Sequence, residues 1–328
     1  MKKCCFLVPY FGKLPNYFPV FLKTCAYNKD FNWIIFTDDV REFDFPDNVE
    51  RKIMSFKDLQ ILIRSKFVEE VSIESPYKLC DYKPAFGYIF ENYITDFYFW
   101  GHCDLDVLFG NIKDFITELM FQNYDKIFCL GHLVLYKNNY SNNRRFMNPI
   151  NSEFWYKEAL GTKDIFVFDE PYGDERNINT IFLKEKLKVY SRDLSLNFKV
   201  NYTRFVKTTY TGNEKFVSEK KINARNRLCI WDCGKIFRLQ KSKKGIIKKE
   251  YLYIHLQERH MRWNKRVLKI NFFKIVPNAI SPVFFKNVTK KNYNFILKRS
   301  LNLHFFRQQS KYLKWHIKNA LKKYACFS

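Results

Sequence analysis

The chain has 328 residues, 47% hydrophobic and 19% aromatic, with only 10 Gly and 10 Pro, which excludes disordered, collagen-like and low-complexity classes. A mean hydropathy of -0.38 and the lack of an uninterrupted apolar run of about 18 residues exclude a multispanning membrane protein. The 57 Lys and Arg against 33 Asp and Glu give +24, and the excess is uneven. From Lys241 to Ser328 there are 22 Lys or Arg and only Glu250 and Glu258, a local +20, so the preceding residues carry +4. AT-rich coding raises Lys, Asn, Ile, Phe and Tyr everywhere, but it does not concentrate charge in one segment. The nine cysteines are scattered, odd in number and free of any CxxC pair, which points to reduced thiols and a cytoplasmic protein.

In chain order, Lys2 and Lys3 precede a short apolar run, Cys4 to Val8, that Pro9, Gly12 and Pro15 cut below a signal-peptide core; it reads as a buried strand. Tyr17, Val20, Phe21 and Thr24 have helical spacing, and Asn32 to Thr37 is a second apolar strand ending at Asp38 and Asp39. Strand, helix, strand predicts a right-handed α/β connection with its ligand crevice beyond the strands' carboxyl ends. No GxGxxG or phosphate-loop motif occupies the first turn. A helical stretch is expected over 56–75 and a second from YKLCDYKP (77–84) through Tyr93, with Phe86, Ile89, Phe90 and Tyr93 on its face. The run FYFWGHCDLDVLFGNI (97–112) then carries an apolar strand into Asp104-Leu105-Asp106. Two carboxylates at i and i+2 where a strand leaves a sheet suit Mg²⁺ or Mn²⁺ and a diphosphate. The same pair would also serve to cap a turn.

VPYFG, TDD, DYKPAFGYIFENY and FWGHCDLDVLFG, in this order, resemble the GT-A glycosyltransferases, and most closely an uncharacterised bacterial glycosyltransferase-like domain family. The likeness continues through GHLVLYKN (131–138), FDEPYGDE (168–175) and YLYIHLQERHM (251–261). It implies a GT-A-like, Rossmann-type α/β domain over 1–262 and a mostly helical, basic aromatic extension over 263–328. The implied activity is transfer of a sugar from a nucleotide-sugar, UDP-sugar foremost, to capsule, lipopolysaccharide or another surface polysaccharide, with a catalytically inactive glycosyltransferase-like scaffold as the alternative. Asp104 and Asp106 become metal residues, Asp104 also contacting the diphosphate, and His255 the third ligand to Mn²⁺ or Mg²⁺. A histidine on an apolar strand is equally what a hydrogen-bonded core residue looks like. Pro9, Tyr10, Phe11, Thr37, Asp38 and Asp39 would contact the nucleotide, and Asp81 and Lys83 the ribose or phosphates. In an inverting enzyme Asp169 or Glu170 would be the catalytic base, whereas in a retaining one the same acid would orient a sugar. His102 and His260 are weaker candidates, and Cys229 with Cys233 fits no common zinc spacing.

The tail leaves two partner classes, an anionic membrane surface and nucleic acid, of which the first suits a glycan or lipid-linked acceptor better. Phe306, Leu313, Ile317, Leu321 and Tyr324 share one helical face flanked by Lys311, Lys314, Lys318 and Lys322, the pattern of an interfacial helix or of an ordinary helix packed on the catalytic domain. The expectation is a peripheral protein at the inner face of the cytoplasmic membrane.

Overall fold

Apolar runs closed by Pro or Asp form the strands that organise the front of the chain. The computed structural model describes residues 2–172, 175–212, 215–257, 259–298 and 303–325. It divides into two compact units, Met1–Leu194 with Tyr210–Phe216, and Ser195–Thr209 with Val217–Ser328.

In the first unit the opening run becomes β1 (Lys2–Pro9), buried from Cys4 to Val8. The helix Phe18–Ala26 follows, with Pro19 in its first turn where a missing N–H costs nothing. Next come β2 (Phe31–Thr37), β3 (Val49–Ile53), β4 (Phe97–Cys103), β5 (Val107–Phe109), β6 (Lys126–Ile127), β7 (Leu133–Lys137) and β8 (Val189–Tyr190). The sheet order is β3-β2-β1-β4-β7-β6-β8. The first four are mutually parallel, and β7 runs antiparallel to β4. The helix expected over 56–75 stops at Lys66, because Phe67 turns extended. The helical run through Tyr93 is a chain of short α and 3₁₀ turns interrupted at Pro84.

The second unit contains β9 (Leu196–Phe198), and β10 (Lys207–Tyr210) and β11 (Phe216–Ser218) lie where the division falls. It continues with β12 (Arg227–Asp232), β13 (Lys235–Ser242), β14 (Gly245–Tyr251), β15 (Tyr253–His255), β16 (Arg262–Trp263), β17 (Phe272–Val276) and β18 (Ala279–Pro282). One sheet has the order β14-β13-β12-β17-β18-β16. Cys233 and Gly234, at φ 48° and 86°, make the tight β12–β13 turn. The expected division at residue 262 cuts this sheet, since β17 pairs with β12 and Arg262 with Ala279. Among the described residues after 262, a 3₁₀ turn spans Lys265–Leu268 and α-helix forms at Tyr293–Leu297 and His304–Ala325, so the extension expected to be mostly helical also carries β17 and β18. Among the described residues no helix is long and apolar enough to cross a membrane.

Candidate functional site

Parallel pairing brings the carboxyl ends of β1, β2 and β4 to one edge of the first unit's sheet. Cys103 lies opposite Leu133, so the turn preceding antiparallel β7 reaches the same edge. Close packing holds β4 in place. A Cβ on Gly101 would stand 2.4 Å from the Val134 carbonyl oxygen, and one on Gly87 would stand 2.2 Å from the Trp100 ring. Trp100 in turn stacks on Tyr136 at 4.5 Å and donates Nε1–H to Asn143 Oδ1 at 2.8 Å. The FWG part of the motif is therefore packing.

Beyond that strand lies a cluster of charge. Lys83 Nζ is 2.9 Å from Asp104 Oδ1 and 3.1 Å from Asp169 Oδ2, and it donates to the Gly131 carbonyl oxygen at 3.0 Å. Burial works against the Lys83 charge, but Asp104, Asp169 and Glu170 outweigh it and hold its pKa well above the ordinary lysine value. Burial pushes the Asp169 carboxyl up, with Lys83 opposing. Gly131 allows this arrangement to close: its N–H donates to Glu170 Oε1 at 2.9 Å, and a Cβ there would meet Asp169 Oδ2 at 2.1 Å. Buried His102 is held neutral, chiefly by desolvation and then by Lys83 and Lys126.

Several expected ligand residues carry structural duties instead. Asp81 is fully buried, pairs with Lys78 at 2.8 Å, and accepts from the Phe166 and Phe168 N–H groups at 2.9 and 3.0 Å. It thus aims the segment leading to Asp169 rather than offering its carboxylate to a ribose. Asp38 accepts from Gly12 N–H at 2.7 Å and Asp39 from Leu14 N–H at 2.9 Å, pinning the loop after β1. Side-chain hydrogen bonds from Arg41 hold the Asp39 carboxyl far below the usual range. Thr37 is buried, its Oγ accepting from Asp39 N–H. Phe11 is also buried, against Phe56 at 5.4 Å, so it offers no face to a base. Pro9 and Tyr10 are half-buried. Burial and the nearby Asp106 raise the phenols of both Tyr10 and Tyr17, which keeps them hydrogen-bond donors. Tyr17, Lys78 and Lys126 had no motif to mark them; only the i, i+3 spacing of Lys78 and Asp81 hinted at their pair.

In the second unit, His255 closes β15 and is buried. Its Nδ1 lies 3.1 Å from Asn197 Oδ1, an oxygen that also accepts from Gln257 Nε2 at 2.7 Å. Nδ1 also lies 3.3 Å from Gln257 Nε2; in the tautomer that donates Nδ1–H to Asn197 Oδ1, Nε2 carries the lone pair that a metal ligand needs. His260 is exposed, and neighbouring Arg259 is spent on the carbonyl oxygens of Lys199 and Tyr202. Cys229 is buried and Cys233 exposed. Asp174 lies outside the described residues, and Glu175 is exposed.

The chain belongs to a family of unknown function, DUF6625. That family's model matches residues 6–283, and so includes every candidate residue above. No curated protein matches the chain.

Proposed function

We propose that this DUF6625 protein is a metal-dependent glycosyltransferase of the GT-A type. It would move a sugar from a nucleotide-sugar, UDP-sugar foremost, to a surface polysaccharide such as capsule or lipopolysaccharide. The observation that carries the reading is the shared Lys83, which bridges Asp104 and Asp169 beyond the carboxyl ends of parallel strands. Open α/β sheets bind ligands there.

Asp104 and Asp106 would supply two carboxylates to a metal ion, with the His255 imidazole as the third donor that the resemblance implies, and this chemistry suits Mn²⁺ or Mg²⁺. Bound there, the ion supplies the positive charge that a departing diphosphate requires. The protein's own groups do the rest. Lys83 fixes one oxygen of Asp104, so the carboxylate is oriented before a ligand arrives. Tyr10, beside Asp106, keeps a phenolic proton with which to bind a phosphate or ribose oxygen. Asp169 is a positioning residue, being 4% exposed and paired to Lys83. Glu170 is less buried and is the group that would take the proton of the incoming hydroxyl.

Calorimetry against a panel of nucleotide-sugars, with and without Mn²⁺, followed by assay of nucleotide release, tests this. One donor should bind only with the divalent ion. Asp104→Ala and Asp106→Ala should each lower turnover roughly 10²- to 10³-fold with unchanged circular dichroism. His255→Ala should shift the metal titration. Normal turnover of both aspartate variants at saturating Mn²⁺ would sink the proposal.

A further inference from the structure

The helix His304–Ala325 has two faces that do different things. His304 and Gln308 are buried at 5% and 6% exposure, and His304 Nε2 contacts the Val200 carbonyl oxygen. One turn further, Asn201 Nδ2 donates to the Tyr312 hydroxyl at 3.5 Å. This is the side that holds the helix to its own unit. Phe306, Leu313 and Ile317 fall within about 40° of one another at 3.6 residues per turn, on the side opposite His304 and Gln308. They are 67%, 62% and 51% exposed. Packing against the unit therefore does not account for the apolar stripe.

We propose that this stripe docks on an anionic lipid bilayer. The charge around it decides the occupant. No Asp or Glu follows Glu258, whereas residues 259–328 hold 17 Lys and Arg. Arg307, Lys311 and Lys314 are exposed on the flank between the stripe and the packed face. The same unit also exposes Phe284 at 76% and Phe295 at 70%. A bilayer interface uses both halves of this pattern, taking the apolar side chains below the headgroups while the cations meet acidic lipid. A nucleic-acid backbone rewards the cations but gives Leu313 and Ile317 nothing to bury against, and a second copy would bring like charges together. The helix lies beyond the family-matched segment, which ends at residue 283. Docking does not depend on the glycosyltransferase reading, and the test needs no substrate.

Flotation of the full chain with vesicles of phosphatidylcholine and phosphatidylglycerol in equal parts is the experiment, with pure phosphatidylcholine vesicles as reference. Binding is expected to the anionic vesicles alone and to fall as salt rises. Leu313→Gln with Ile317→Gln leaves charge unchanged and replaces exposed side chains, so helical circular dichroism should persist while vesicle binding drops more than roughly tenfold. Neutralising Arg307, Lys311 and Lys314 to Gln should lower partitioning by roughly two orders of magnitude. Wild-type flotation by the Leu313/Ile317 variant overturns the proposal. So does salt-sensitive RNA binding without vesicle binding, or a wild-type dimer in sedimentation that those two substitutions convert to monomer.

Discussion

Lys126 is a lysine with no exposed surface, its ammonium held by the Phe128 carbonyl oxygen and Asn179 Oδ1. Neither partner is charged, so desolvation dominates and its pKa falls from 10.5 to about 8. Below pH 8 both folded and unfolded chains carry this proton, and the folded state bears the desolvation cost. Between about 8 and 10.5 only the unfolded chain keeps it, so stability attributable to Lys126 rises with pH across that window, by about 3 kcal/mol in all. Buried thiols and phenols such as Cys5 and Tyr293, both raised to about 12, act with the opposite sign at the alkaline end. The clean measurement is therefore a difference. Urea unfolding of wild type and Lys126→Met from pH 7 to 10.5 should show the variant's relative advantage shrinking as pH rises, and a constant difference would refute the assignment. Asp81 makes the complementary case. The resemblance marked it as a ribose or phosphate contact, yet sequence cannot reveal that two backbone N–H groups more than eighty residues away would claim both its oxygens.

Among the elements, β1, β2 and β4 were legible because each is an apolar run ended by Pro9, Asp38 or Asp104, and such punctuation survives folding. Of the second unit's strands, only the apolar one that carries His255 was. β14 carries Lys248 and Lys249 exposed and β13 carries Lys241, so their alternation was hidden inside a basic composition, and the β12–β13 hairpin depends on Cys233 adopting a positive φ that its residue type does not advertise. The helical run before β4 was read as continuous because its apolar spacing is regular. Its interruptions serve the strand, since Gly87 must sit against the indole of Trp100. Gly87→Ala should cost about 1–3 kcal/mol through overpacking. The atoms that a Cβ would meet are Trp100 Cε2, Nε1 and Cζ2, all absent from a short aliphatic side chain. Gly87→Ala should therefore cost less in a Trp100→Leu background, and a double-mutant cycle by chemical denaturation should give a favourable coupling. Strict additivity of the two substitutions would rule out this packing as the cause.

At the scale of the molecule, the charge separates by unit. The second unit holds 31 Lys and Arg against 4 Asp and Glu, a net +27, while the first holds 26 against 29, a net −3. Sequence placed the excess in the tail after Lys241, but nine further basic residues, among them Lys199, Arg204, Lys220 and Arg225, belong to the same unit by way of its sheets and the segment from Ser195. A chain order cannot disclose that 195–209 and 217–240 fold with the residues after them. The physical consequence is self-repulsion confined to one unit, because a large net charge disfavours the compact state whereas near-neutral surfaces have little to gain from screening. Adding salt shortens the range of that repulsion to about 8 Å at physiological ionic strength. Native-state hydrogen exchange followed by mass spectrometry reads each unit's peptides separately. Raising NaCl from low to physiological strength should slow exchange in the core strands β12, β13 and β17 and leave β1, β2 and β4 nearly unchanged. Equal slowing in both sets would mean that the ion acts through something other than the second unit's charge, and faster exchange in β13 would mean that its pairs, such as Arg238 with Glu219, outweigh the repulsion around them.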